Sequence, residues 1–158
     1  MIIFNDSARL MSNTSINAST NTKISTIQPI EGAIGNIALY YYQGKYPIYK
    51  SMDDGMYHAK SVVDAWNGAN TGSKRINNWR RLPATEEFIS YLSSDARISV
   101  SEIIHNKKQQ NRYMQHLDGT YICEALLIDL AGWVSSKFRH EIYQCFARQA
   151  EIDRLNAD

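Results

Sequence analysis

The feature that most constrains the fold is the stretch 118–146, which predicts a turn, a strand and two helices in direct succession. It begins with Asp118-Gly119, a pair that is typical of turns. The run 120–123 follows, and its β-branched and aromatic residues favour a strand. A strand that leads straight into helices predicts that sheet and helices share one core.

The two helices are indicated by apolar residues at three- and four-residue spacing. The first pattern covers 126–134 and the second covers 138–146, where Tyr143 is expected on the apolar face. Ser135-Ser136 separates the two patterns and can cap the second helix. Helices with one apolar face need other elements to cover that face, which the preceding part of the chain must supply.

A hairpin followed by a helix is predicted over residues 45–66. Asp53-Asp54-Gly55 is a turn signal, because Gly55 can adopt a positive φ. The helix is expected to begin at Ala59, to end near Trp66 and to stop at Asn67-Gly68.

A second, basic helix is predicted after a polar loop, with Ser73 as its N-cap. Pro83 should end this helix near Arg81, and a further helix is expected to start at Thr85. Helix, loop and basic helix form the layout of a helix-turn-helix. Residues 105–113 are polar and basic and lead into the 118–119 turn, so they predict a wing-like hairpin.

The length of 158 residues fits a single domain. Residues 1–28 are rich in Ser, Thr and Asn without apolar periodicity, which predicts a disordered or loosely attached arm. The domain is expected over 29–150, with a tail over 151–158. No apolar run is long enough for a membrane helix and the N-terminus lacks signal-peptide features, so we expect an intracellular protein without a membrane partner.

Motifs for catalysis, metal ligation or cofactor binding are not found in the sequence. The two cysteines lie among apolar residues and predict buried free thiols. The four histidines lack zinc-site spacing, and no Walker loop, GxGxxG or GxSxG motif occurs. The sequence therefore predicts no enzyme activity, no metal and no cofactor.

Positive charge is concentrated in the middle of the chain, where residues 44–116 carry eleven Lys/Arg and seven Asp/Glu. Basic residues at a helix start suit phosphate oxygens, and asparagine amides can reach base edges. A solvated helix face is the alternative explanation. The tryptophans Trp66, Trp79 and Trp133 are expected in the core. The candidate nucleic-acid-binding residues are Lys60, Lys74, Arg75, Asn77, Asn78, Arg80, Arg81, Lys107, Lys108 and Arg112.

Three ordered segments resemble the KilA-N domain of large DNA viruses and phages, which is similar to the APSES DNA-binding domain of fungal transcription factors. They are 46–67, 78–89 and 118–146. His58 stands where the family usually has Asn, and Ser61 stands where it has Thr. In the last segment, the residues that match the family by type are Gly119, Thr120, Tyr121, Ile122, Ala131, Trp133 and Phe138.

The resemblance covers about 44–147 and implies a small α+β fold that binds nucleic acid, either DNA or RNA. It implies a viral protein of the host-cell cytoplasm (viral factories) or nucleus. The alternative is a protein-interaction module of a host-range factor that binds a host or viral protein. Poxviral members often carry a RING domain that recruits ubiquitin-transfer enzymes, and two cysteines are too few to build one.

Overall fold

A computed structural model of the chain describes residues 3–4, 22–24, 37–109, 112–147 and 154–156. The strands are β1 (Ile3–Phe4), β2 (Thr22–Ile24), β3 (Ile37–Tyr42), β4 (Tyr46–Ser51), β5 (Tyr57–His58), β6 (Ile104–Lys107) and β7 (Gly119–Ile122). The helices are α1 (Ala59–Asn70), α2 (Ile76–Arg80), α3 (Pro83–Ser94), α4 (Val100–Ile103), α5 (Glu124–Val134) and α6 (Ser136–Ile142), with a 3-10 helix over Arg112–Leu117 and a π-helical segment over Tyr143–Ala147.

The central sheet has five strands in the order β3-β4-β5-β7-β6, and every neighbouring pair is antiparallel. β1 and β2 form a separate parallel pair. Helices pack on the five-stranded sheet, so the predicted α+β class is confirmed. The turn between β4 and β5 is also confirmed, with Gly55 at φ +74°.

The strand and two helices predicted from the stretch 118–146 are present as β7, α5 and α6. The Ser135 side chain caps α6 by accepting a hydrogen bond from the Phe138 N–H at 3.0 Å. Phe138, Ile142 and Phe146 are buried, as expected. The placement of Tyr143 was wrong, since 57% of it is exposed. The chain becomes π-helical at this residue, and the wider turn rotates the apolar face away from it.

The predicted end of α1 was also wrong, because the helix continues through Gly68 to Asn70. A Cβ at position 68 would lie 2.5 Å from the Tyr46 ring. Gly68 therefore allows β4 to approach the helix closely. The helix ends instead at Thr71, in a left-handed conformation, whose N–H donates to the Asn67 carbonyl.

Both short strands β1 and β2 fall within the predicted N-terminal arm. Most of the arm and most of the predicted C-terminal tail lie outside the described residues, so the division of the chain stays a prediction. No helix in the described part of the chain is long and apolar enough to cross a bilayer.

Candidate nucleic-acid interface

The basic segment 74–81 is fixed to the body of the protein by Trp79. This side chain is fully buried, and its Nε1 donates to Asp129 Oδ2 on α5 at 3.0 Å. The backbone carbonyl of Trp79 accepts from the buried Thr85 Oγ1 at 2.8 Å. α2 has only five residues and would be unstable in isolation, so the buried Trp79 side chain is what anchors it to the body.

The loop that enters α2 is fixed by Asn67. Its side-chain amide donates to the Lys74 carbonyl at 2.8 Å and accepts from the Lys74 N–H at 3.0 Å. There is no room for a side chain at position 72, since a Cβ there would lie 2.4 Å from the Trp66 ring. Ser73 was the predicted N-cap, but residues before Ile76 are held extended by Asn67, and Arg75 occupies the cap position without a side-chain bond.

Outward from this anchor, Arg75, Asn77, Asn78 and Arg81 are exposed. Within the described residues, neither arginine has a carboxylate partner. The basic helix predicted between Ser73 and Arg81 has only five residues in the structure. α3 begins at Pro83 instead of Thr85, because proline suits a first helical turn. So short a helix adds little dipole, and phosphate contacts must come from the side chains.

Lys74 lies against an aromatic side chain of α5. Its Nζ is 4.9 Å from the centroid of the Trp133 ring. Trp79 is fully buried, so the prediction that it lies in the core is confirmed. Trp66 and Trp133 are half-buried and pack against the core, so for them the prediction is met only in part. Lys74 is itself exposed and keeps its charge at the surface next to Arg75.

Two other candidate cations are paired with carboxylates near them. Lys60 contacts Asp64 at 2.6 Å, one turn further along α1. Arg80, half-buried, donates to Glu86 on α3. Each would have to exchange its carboxylate for a phosphate, so these residues are weaker candidates than Arg75 and Arg81.

Lys107 is tied to the sheet at the end of β6. Its Nζ donates to Asp54 Oδ2 at 2.9 Å and lies 5.4 Å from the centroid of the Tyr121 ring. Burial alone would raise the pKa of Asp54, but hydrogen bonds from Lys107 and the Met56 N–H hold this pKa below its usual range. Lys107 thus joins the β4–β5 turn to β6.

Lys108 and Arg112, the other candidate cations near β6, are exposed. Lys108 follows β6, and the Arg112 guanidinium lies 5.2 Å from the centroid of the Tyr113 ring. β6 and β7 pair antiparallel, with the 3-10 helix Arg112–Leu117 in their connection and residues 110–111 outside the described part. That this β6–β7 hairpin acts as a wing stays a prediction. That this hairpin shares a face with residues 74–81 stays a prediction.

His58 connects the start of α1 to this hairpin. Its Nδ1 accepts from the Ser61 N–H at 3.2 Å and caps the helix. Because Nδ1 accepts, the proton is on Nε2, which donates to the Asp118 carbonyl at 2.8 Å. Asparagine is a favoured N-cap, and the imidazole performs the same task here.

Acidification is expected to destabilise the protein through His58. Burial lowers the pKa of His58, and the hydrogen bond to the Asp118 carbonyl opposes this only in part. His58 therefore binds a proton more tightly in the unfolded chain than in the folded one. Its contribution to the free energy of unfolding is fully present above about pH 6.5 and decreases below that pH, by at most about 1.4 kcal/mol per pH unit. Urea denaturation at about pH 7.5 and about pH 5.5 measures the loss.

The matched control for this prediction is His58→Asn, which keeps a capping acceptor and cannot titrate. We expect the variant to lose less stability than the wild type over the same pH interval. Equal losses in the two proteins would assign the pH dependence to groups other than His58.

The KilA-N domain family model matches residues 40–151, most of the chain. The chain belongs to the KilA-N domain family. A putative KilA-N domain-containing protein of Acanthamoeba polyphaga mimivirus is 28% identical over 72 residues, which is 46% of this chain and 15% of that protein. No solved structure matches the chain significantly.

KilA-N is a non-enzymatic domain type, and membership is consistent with a DNA-binding type of module in general. No cluster of potential metal ligands occurs in the residues that the structure describes. Neither cysteine forms a disulfide with another described residue; Cys145 is buried as predicted, whereas Cys123 is half-buried. Sequence reasoning missed Asn67 and the Lys74–Trp133 contact, because both depend on residues brought together by folding.

Proposed function

We propose that this KilA-N domain binds duplex DNA, mainly through the α2 surface, defined as the exposed side chains of residues 74–81. The observation that carries the proposal is the pair Arg75 and Arg81, which are exposed and have no carboxylate partner in the described residues. Charge-assisted contacts to phosphate are the main source of affinity in such interfaces.

The rigidity of this surface supports the proposal. Trp79 and Asn67 hold α2 and its entering loop through four hydrogen bonds. Side chains presented by a fixed backbone lose less entropy on binding, so affinity and register both benefit.

The roles within the surface follow from side-chain chemistry. Lys74, Arg75 and Arg81 supply phosphate contacts, whereas Asn77 and Asn78 carry the amides that can pair with an adenine edge. Lys108 and Arg112 of the β6–β7 hairpin would add a second backbone contact in the manner of a wing. Lys60, Arg80 and Lys107 contribute less, because carboxylates hold them.

Fluorescence anisotropy with a labelled duplex of about 20 bp tests this function, with single strands and an RNA hairpin as competitors. The three cations of the α2 surface without a carboxylate partner predict a slope of log K against log salt of about −2.7, which weakens binding about fortyfold between about 50 and 200 mM salt. Contacts from Lys108 and Arg112 would make the slope steeper. If the RNA hairpin displaces the labelled duplex at a lower concentration than unlabelled duplex does, the ligand would be assigned as RNA instead of DNA. No binding of any probe at about 50 mM salt would contradict the proposal.

A further inference from the structure

A second surface, separate in chemistry from the α2 surface, lies between α3, α5 and α6. A cavity of about 380 Å³ beside Trp79 continues into a larger one of about 610 Å³. Phe88, Ala125, Ile128 and Arg139 line both cavities. We call the continuous depression the α3–α6 groove.

Apolar side chains line much of the groove, and exposed aromatic rings border it. Tyr91 on α3 is 52% exposed and Tyr143 is 57% exposed. Phe88 stacks on Tyr91, with ring centroids 6.5 Å apart and planes at 12°. Contiguous apolar surface of this kind marks a site of protein interaction more often than a solvated face.

The charge around the larger cavity has one sign. Its lining includes the Arg139 guanidinium and the His140 imidazole, both on α6, and no carboxylate from the described residues. Neither has an ion-pair partner among the described residues. In the smaller cavity, Asp129 already accepts a hydrogen bond from Trp79. The groove therefore complements an apolar ligand with negative charge on one flank.

The walls of the groove are helices, and a depression between helices accommodates an amphipathic helix with apolar residues at i, i+3, i+4 and i+7. We propose that the α3–α6 groove binds an acidic amphipathic helix of another protein. Its apolar face packs on Phe88, Ala125 and Ile128, and its carboxylates face Arg139 and His140. This site does not depend on the nucleic-acid function proposed for the α2 surface.

Selection of a displayed library of helical peptides against the full chain tests the proposal. Enrichment of peptides with the i, i+3, i+4, i+7 apolar pattern and Asp/Glu on one flank is expected. Failure to enrich any peptide, or enrichment of basic ones, overturns the proposal.

Two variants locate the binding of the enriched peptide. Ala125→Glu fills the groove with a carboxylate that the first turn of α5 tolerates, and should reduce affinity at least about a hundredfold. Arg139→Glu should reduce it about tenfold and favour a peptide with Lys in place of each acidic residue. Lys137→Glu is the matched control, since Lys137 is exposed on the same helix and does not line the groove.

Other possible ligands of the groove, nucleic acid or a second copy of the chain, would give different results in these experiments. Peptide binding that Ala125→Glu leaves intact, while thermal unfolding shows a folded variant, overturns the proposal. Displacement of the peptide by the duplex would assign the groove to nucleic acid. Dimerisation in sedimentation that Ala125→Glu abolishes would assign it to a second copy of the chain.

Discussion

Trp79→Ala is expected to lower the free energy of unfolding by about 3–5 kcal/mol, the usual cost of removing a fully buried large aromatic side chain. Trp79 is 0% exposed and joins α2 to α5 through its hydrogen bond to Asp129. Its loss leaves a cavity between α2 and α5 and releases the segment that carries Arg75 and Arg81. Urea denaturation followed by circular dichroism measures the change.

The control for this prediction is Trp79→Phe, which keeps most of the apolar volume and loses the indole N–H. Asp129 is exposed and can be rehydrated, so this variant should lose only about 1–2 kcal/mol. A loss below about 1 kcal/mol for Trp79→Ala would show that α2 is not anchored by this residue.

The double variant Arg75→Ala/Arg81→Ala is expected to weaken duplex binding by about two orders of magnitude at low salt. Each charge-assisted contact contributes about 1.5 kcal/mol or more, and two are removed. The slope of log K against log salt should become shallower by about 2, because about 0.9 counterion is released for each phosphate neutralised. Anisotropy titrations at several salt concentrations provide both numbers.

The control removes the same net charge from other places, as Lys60→Gln/Lys137→Gln. Lys60 pairs with Asp64 and Lys137 lies on α6, so the salt slope should change by less than about one unit. Equal effects of the two double variants would mean that binding depends on net charge alone and that the α2 surface has no special role.

Local signals allowed much of the fold to be predicted. The glycine turn at Gly55 and the Ser135 cap depend on residues within a few positions, and both are present in the structure. The KilA-N family was predicted from ordered short patterns in the same way. Such features need no knowledge of distant neighbours.

Errors arose where distant packing overrides a local signal. Gly68 is a helix stop by composition, yet it lies inside α1, where the lack of a side chain lets the Tyr46 ring of β4 pack closely against the helix. Ser73 is a good cap by type, but Asn67 binds the backbone of the neighbouring Lys74, and the helix begins only after Arg75. The ten candidate binding residues stay predictions, and the carboxylate partner of Lys107, 53 positions away, could not be found from local sequence.

The measurement that tests the central claim most directly is NMR titration of the isotope-labelled chain with duplex DNA. The α2 surface predicts the largest shift changes in the backbone amides of 74–81 and in the side-chain amides of Asn77 and Asn78, with smaller changes near Lys108. Changes confined to the β6–β7 hairpin or to the α3–α6 groove, with residues 74–81 unaffected, would contradict it.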